Sequence, residues 1–250
     1  MFLYRHQGVG LQVAFTDRHG GVSDGPWDSL NLGYGNGDDH TRVDTNHEMV
    51  VRGFGADPAR LVRMSQVHGN DVVVTDGPVT PFPVADGLVT SAADVTLLVR
   101  AGDCVPVVLA DVAAGVVGVA HAGRAGVVCA VVASTVRTMR RLGAGSIVGW
   151  LGPRVCGDCY EVPTRLRAQV AAAVPATWSQ TSWGTSAVDV AAGVRAQLEE
   201  LAVEVVDIAD SLGAAVTCTV ENDDLFSHRR QGSRSGRLGG LVRLTGHPAP

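Results

Sequence analysis

Two valine-rich runs, residues 105–110 and 116–120, dominate the hydrophobic pattern of the chain. They are too short for helices, and Asp111-Val-Ala-Ala-Gly115 between them supplies a turn, which predicts two buried strands. Further strand patterns fall at residues 10–16, at Leu61, and at 72–75, 88–90, 94–100, 146–151 and 216–220. Helical spacing appears first behind Asp39 to Thr41, a group of capping residues, where Val43, His47, Val50 and Val51 share one face. Pro58 marks a short helical or turn segment. The longest helical period starts at the Gly123-Arg-Ala-Gly126 turn, runs through Val127, Val131, Val132, Thr135, Val136 and Met139 to Leu142, and stops at Gly143. Residues 163–174 read as another helix, and residues 189–201 as an amphipathic one with Asp189 as N-cap and Val190, Val194, Leu198 and Leu201 inward. Residues 16–33 carry too many turn formers for regular structure, yet Trp27, Leu30 and Leu32 predict an ordered, packed loop.

Strand patterns come both in adjacent pairs and separated by helices, which predicts an α+β fold with mixed β-sheets flanked by helices. No repeat or linker divides the chain, so a single domain over residues 1–250 is expected. Composition supports a sizeable core, with 46% apolar and 18% charged residues. The net charge of −5 is scattered, which argues against nucleic acid and membrane partners and for a small substrate. No signal-peptide pattern and no long apolar span is present, so a cytoplasmic location is expected. Five cysteines are too few and too odd for a disulfide framework, which agrees with a reducing compartment.

Candidate chemistry gathers at the ends of the predicted strands. Cys104 stands just before the first valine run and His121 just after the second, and antiparallel pairing would bring both to one edge. His68, in Ser65-Gln-Val-His-Gly69, lies beside the 72–75 strand pattern. One Cys and two His make a set of three zinc ligands with a fourth position open. The N-terminus of the helix that follows His121 would favour an anion such as phosphate. Cys156-Gly-Asp-Cys159 has thiol-pair spacing but no second pair at zinc-ribbon spacing, so it reads as structural or incidental. Cys129 falls on the apolar face of its helix, and the tail over residues 227–237 is basic and polar.

Several motifs together resemble the YfiH/laccase-domain family, described both as polyphenol oxidases and as purine nucleoside phosphorylases. They are Gly20-Gly-Val-Ser23, Ser29-Leu-Asn-Leu-Gly33, Ser65-Gln-Val-His-Gly69, Ala85-Asp-Gly87, Gly102-Asp-Cys-Val-Pro106, His121-Ala-Gly123, Tyr160-Glu-Val162, Cys218-Thr219 and Phe226-Ser-His-Arg-Arg230. The resemblance covers nearly the whole chain. It implies a layered α/β/β/α arrangement, zinc on His68, Cys104 and His121, and phosphorolysis of adenosine, inosine, guanosine and 5′-methylthioadenosine, together with adenosine deamination. One departure stands out. The family usually continues His-Ala-Gly-Trp-Arg-Gly, whereas here the residues are Arg124-Ala-Gly126, so the aromatic is missing and the arginine comes one position early.

Deamination needs a carboxyl group to shuttle protons, for which Asp103 and Asp86 are nearest to the ligands. Phosphorolysis needs positive groups for phosphate, and Arg124, Arg229 and Arg230 are the candidates. Ser23 and Asn31, in the glycine-rich loop, are expected to contact ribose or base, with that loop and the tail motif closing over the metal site. The expected partners are purine nucleosides and phosphate, and the sequence gives no oligomeric state. Two other enzymes remain as alternatives. A copper polyphenol oxidase would need paired His-x-His arrangements, and none of the 8 histidines is two residues from another, so zinc is preferred to copper. A metal-free thiol hydrolase would use Cys104 as nucleophile and His121 as base, the implied fold being similar to that of bacterial deamidating toxins.

Overall fold

The two valine runs form neighbouring antiparallel strands, with Pro106 opposite His121 and Val105 opposite Ala122. The computed structural model describes residues 1–245, so the last five residues of the expected 1–250 span lie outside the described residues. In chain order the strands are β1 (Phe2–Gly8), β2 (Leu11–Thr16), β3 (Leu61–Val62), β4 (Val72–Val74), β5 (Gly87–Thr90), β6 (Thr96–Ala101), β7 (Val105–Asp111), β8 (Val116–Ala122), β9 (Val148–Leu151), β10 (Trp178–Gln180), β11 (Ser186–Val188), β12 (Glu204–Asp207) and β13 (Leu238–Leu244). One sheet runs β1-β2-β13-β6-β3, a second runs β12-β9-β7-β8-β5-β4, and β10 with β11 make a separate hairpin. Both large sheets are mixed: β3 pairs β6 in parallel and β12 pairs β9 in parallel, while most other neighbours are antiparallel.

The sheets pack face to face. Val108 and Ala110 of β7 and Val117 and Val119 of β8 meet Val13 and Phe15 of β2, Leu97 and Val99 of β6 and Val242 of β13. The alternate residues Val107, Leu109, Ala120 and Ala122 point to the other side, where helices cover them. A strand buried on both faces must be apolar at every position, which is why this region reads as unbroken valine rather than as an alternation. Among the described residues there are eight α-helices besides four short 3-10 turns: α1 (His40–Phe54), α2 (Arg124–Val128), α3 (Val131–Arg141), α4 (Thr164–Ala173), α5 (Val190–Glu200), α6 (Ile208–Leu212), α7 (Ala214–Thr217) and α8 (His228–Gln231). α3 and α5 cover the second sheet through Val131, Val136, Met139, Val194 and Leu198. α1 covers the first sheet through Val50, Val51 and Phe54, with Leu30 and Leu32 of the glycine-rich loop beside it. The result is the α/β/β/α layering of an α+β fold.

Two expectations are corrected. The helical period over 127–142 is carried by two helices, not one, because Ala130 adopts φ 60° and breaks the chain between α2 and α3. Hydrophobic spacing continues across the break, so the period alone does not reveal it. Residues 216–220 are not a core strand: α7 occupies the first part, and Cys218 contributes only an isolated parallel bridge to Arg154.

That bridge lies beside a buried ion pair. Arg154 donates from Nη1 and Nη2 to the two carboxylate oxygens of Asp207, each at 2.6 Å. Burial opposes ionisation of Asp207, but the hydrogen bonds and charge of Arg154 outweigh it and hold the carboxyl below the usual carboxylate range. A group depressed in this way contributes stability that is fully present above its unfolded pKa of about 3.9 and lost as pH falls through the folded value. Asp207→Asn is expected to cost about 1–3 kcal/mol near neutral pH. In urea melts its deficit against the wild type should shrink below about pH 4, and a deficit that stays constant would show that the pair does not carry this pH dependence.

Candidate active site

His68, Cys104 and His121 converge at the edge where β7 begins and β8 ends, and their ligating atoms all lie within 4.8 Å of one another. The Cys104 Sγ stands 3.8 Å from His68 Nε2, and the two imidazole centroids are 4.7 Å apart. Tetrahedral zinc with Zn–N near 2.0 Å and Zn–S near 2.3 Å spaces such ligands at about 3.6 Å, so these donors fit the ion with a small contraction. Gly123 leaves room for the ligands: a Cβ there would sit 2.8 Å from Cys104 Sγ and 3.0 Å from His68 Cδ2. Only glycine allows the chain to pass so close. Both ligand loops also hold a non-glycine residue at positive φ, His68 at 61° and Asp103 at 90°, a conformation that persists only where the surroundings enforce it.

Asp86 does much of that enforcing. Its carboxylate is buried and accepts the backbone amides of Val67, His68 and Gly69 at 3.1, 3.0 and 2.7 Å. It also lies 2.8 Å from His121 Nδ1, which leaves Nε2 of His121 for a metal and fixes the ring. Burial opposes ionisation of Asp86, yet His121 and the amides hold its carboxyl below the usual range. Burial depresses the His121 imidazole, with Asp86 opposing, so the ring is neutral near pH 7, as a ligand must be. For Cys104, burial and then Asp103 push the thiol up to about 12. One thiolate with two imidazoles suits zinc and also a single copper ion. The set does not assemble a multinuclear copper cluster.

A cleft of about 880 Å³ opens over the three ligands. Arg124 and Arg229 line it, as expected from sequence, and so do Arg100 and Arg237. The Arg229 guanidinium lies 4.8 Å from the centroid of the Tyr160 ring. Arg100, the one charged residue of the apolar strand β6, is not among the sequence-based candidates, although a charge in so apolar a strand is a legible sign. It is part-buried and donates to the Met64 carbonyl at 2.6 Å, and burial lowers its pKa to about 10.

Other expected contacts fall elsewhere. Arg230 turns away from the cleft and donates to the carbonyls of Val220, Asn222 and Leu225 at 3.1, 2.9 and 2.5 Å, so it holds its own loop together. Ser23 and Asn31 are buried behind the cleft wall. Ser23 Oγ donates to Asp38 at 2.7 Å and accepts from Asn46 at 2.9 Å. Asn31 donates to Asp38 at 2.8 Å and accepts the amides of Gly33 and Arg237 at 2.8 and 2.9 Å. These side chains shape the glycine-rich loop from within. Asp103 does border the cleft, but Thr219 Oγ1, Ser227 Oγ and the Arg229 amide donate to it at 2.7, 2.6 and 2.6 Å. Asp103 thereby ties Thr219, Ser227 and the backbone of Arg229 to the edge of the cleft. The helix after His121 is a single five-residue turn, so its amides offer little to an anion and the arginine side chains supply the positive charge. Cys129 is half-buried, not core, with its Sγ 3.5 Å from the Gly126 carbonyl.

Comparison with known proteins agrees with this geometry. A purine nucleoside phosphorylase of Streptomyces griseus is 51% identical over 92% of this chain and 93% of its own. Another, of Streptomyces coelicolor, is 50% identical over 94% of this chain and 96% of its own. The solved structure of a Neisseria meningitidis protein of family DUF152 superposes with a TM-score of 0.85 at 30% identity, covering 98% of this chain and 99% of that one. The family described as multi-copper polyphenol oxidoreductase laccase matches residues 12–245, and with the ligand edge, the layered fold and these relatives in agreement, the chain belongs to that YfiH/laccase-domain family.

Proposed function

We propose that this chain is a zinc-dependent purine nucleoside phosphorylase. Phosphate attacks C1′ of the ribose, the glycosidic bond breaks, and the departing purine takes up a proton, leaving ribose-1-phosphate. The observation that carries this reading is one cleft in which Arg100, Arg124, Arg229 and Arg237 surround a Cys-His-His ligand set. Zinc held by His68, Cys104 and His121 would supply a Lewis acid at the cleft floor. Arg229, steadied over Tyr160 and by the hydrogen bond its backbone amide donates to Asp103, holds phosphate with Arg124 and Arg237 through charge-assisted hydrogen bonds. Asp86 keeps the His121 ring in place. The cleft volume suits a nucleoside together with phosphate. The Streptomyces relatives bear the name of this activity. Adenosine, inosine, guanosine and 5′-methylthioadenosine are the substrates we assign, with deamination of adenosine as a second activity. The reaction belongs in the cytoplasm, where reducing conditions keep the five cysteines free.

Chromatography of adenosine incubated with the zinc-loaded protein tests the reading. Adenine and ribose-1-phosphate should form only when phosphate is present, and inosine with or without it. Phenol oxidation without nucleoside turnover would overturn it. Arg229→Lys should raise the phosphate concentration needed for half-maximal rate about tenfold or more, since a lysine cannot copy the bidentate contact. Arg230→Lys should leave that requirement unchanged and lower stability instead. Equal effects of the two substitutions would remove Arg229 from the phosphate site.

A further inference from the structure

Cys156, Cys159, Cys218 and Glu221 form a second group of ligating side chains, with all four ligand atoms within 4.8 Å of one another. None of the four lines the cleft. They come from two short turns of the same span, Cys156-Gly-Asp-Cys159 and Cys218-Thr-Val-Glu221. In the first turn the amides of Cys159 and Tyr160 donate to the Cys156 carbonyl at 3.1 and 3.0 Å, and in the second the amide of Asn222 donates to the Cys218 carbonyl at 3.0 Å. The turns are clipped together by a parallel bridge, in which Arg154 donates to the Thr217 carbonyl at 3.1 Å and Thr219 donates to the Arg154 carbonyl at 3.0 Å. Each turn therefore presents its first and fourth side chains to one point. Paired x-x turns of this kind make zinc ribbons, and here a carboxylate takes the place of the fourth thiol.

Packing alone does not account for the arrangement. Cys159 and Cys218 are buried in a small apolar cluster with Val155, yet the exposed Glu221 turns its carboxylate to 3.9 Å from the Cys156 Sγ. None of the three cysteines is in a disulfide. Three thiols and a carboxylate converging from two turns match a closed, four-ligand structural zinc site. Zinc–sulfur bonds of about 2.3 Å space such ligands about 3.8 Å apart, so the group needs to close by about an ångström at most.

We propose that Cys156, Cys159, Cys218 and Glu221 bind a structural zinc ion, separate from the one in the cleft, that fastens residues 217–222 to the turn after β9. The fastening reaches the cleft through Thr219, which follows Cys218 and donates to Asp103 at 2.7 Å. Asp103 in turn holds Ser227 and the Arg229 amide. The second ion thereby sets where the tail lies against the cleft, whatever reaction the cleft performs.

Zinc content of the full chain, purified under reducing conditions with zinc chloride supplied, tests the proposal. The wild type should hold two zinc ions per chain, Cys104→Ala one, and Cys159→Ser one. Cobalt(II) loaded into Cys104→Ala should show the intense thiolate-to-metal absorption of several sulfur ligands, and this should vanish in Cys104→Ala/Cys159→Ser. Should Cys159→Ser fail to fold, Glu221→Ala serves instead: its side chain is exposed, so the fold is retained, and the second zinc should bind at least about tenfold more weakly. The proposal is overturned if folded Cys104→Ala holds no metal, if Glu221→Ala leaves the affinity unchanged, or if thiol counting finds a disulfide among the three cysteines of freshly prepared protein.

Discussion

Cys104→Ala is expected to empty the cleft site of zinc and to lower phosphorolysis by about three orders of magnitude, or ~4 kcal/mol of transition-state stabilisation. The side chain supplies the only sulfur in the Cys-His-His set. Removing it leaves two imidazoles, of which only His121 is fixed by a carboxylate. The fold should persist, because Cys104 precedes β7 and the apolar contacts of that strand come from Val105, Val107, Val108 and Leu109. Elemental analysis should show one zinc fewer per chain, with a cooperative unfolding transition retained and its midpoint lowered only by the loss of the stabilisation that bound zinc gives the folded state. Wild-type turnover in the folded variant would mean that the ligand set is not the reaction centre.

Asp86→Ala should produce the larger loss of stability, about 4 kcal/mol. Four donors converge on this buried carboxylate: three consecutive amides and one imidazole. Each hydrogen bond to a buried charge is worth about 1.5–3 kcal/mol, and amides left without a partner add a desolvation penalty. The contributions do not sum, since the His68 loop can relax once its anchor is gone. Zinc affinity should fall about 10–100-fold or further, the usual cost of losing the group that orients a ligand. Asp86→Asn separates the two effects, because an amide oxygen can still accept from the loop. It should recover part of the stability and little of the metal affinity. Urea melts combined with zinc competition titrations measure both, and a variant as stable as the wild type would show that the loop is held by something else.

The candidate metal ligands are legible because they stand at the ends of unmistakable strands. Cys104 and His121 flank two runs whose burial on both faces leaves no other reading, and the register of β7 and β8 does the rest. The central strand β13 was not legible. Its Gly239 and Gly240 look like turn residues, but they are required by close approach: a Cβ on Gly239 would lie 2.7 Å from a Leu32 methyl, and one on Gly240 would lie 2.9 Å from the Phe15 ring. Val216 and Val220 suggested a strand where the chain instead forms turns around Cys218. The second group of ligating side chains is only half legible for a related reason, since Cys156 and Cys159 show the thiol-pair spacing while its fourth member is a glutamate, three residues after Cys218. Ser23, Asn31 and Arg230 show the limit of reading polar residues in loops. Whether such a side chain faces a ligand or its own backbone depends on the path of the loop, and residue type does not encode that path.

The place of β13 between β2 and β6 bears on how the protein is made. Ala14 pairs with Leu241 and Leu98 pairs with that same Leu241, so two strands synthesised early stay apart until one synthesised very late arrives between them. Until then their inner edges carry unpaired amides and carbonyls, which neighbouring nascent chains can capture. Arg237, one residue ahead of β13, reaches the cleft by the same insertion. A chain cut short before this point would carry His68, Cys104 and His121 but neither a closed first sheet nor the Arg237 side chain that lines the cleft.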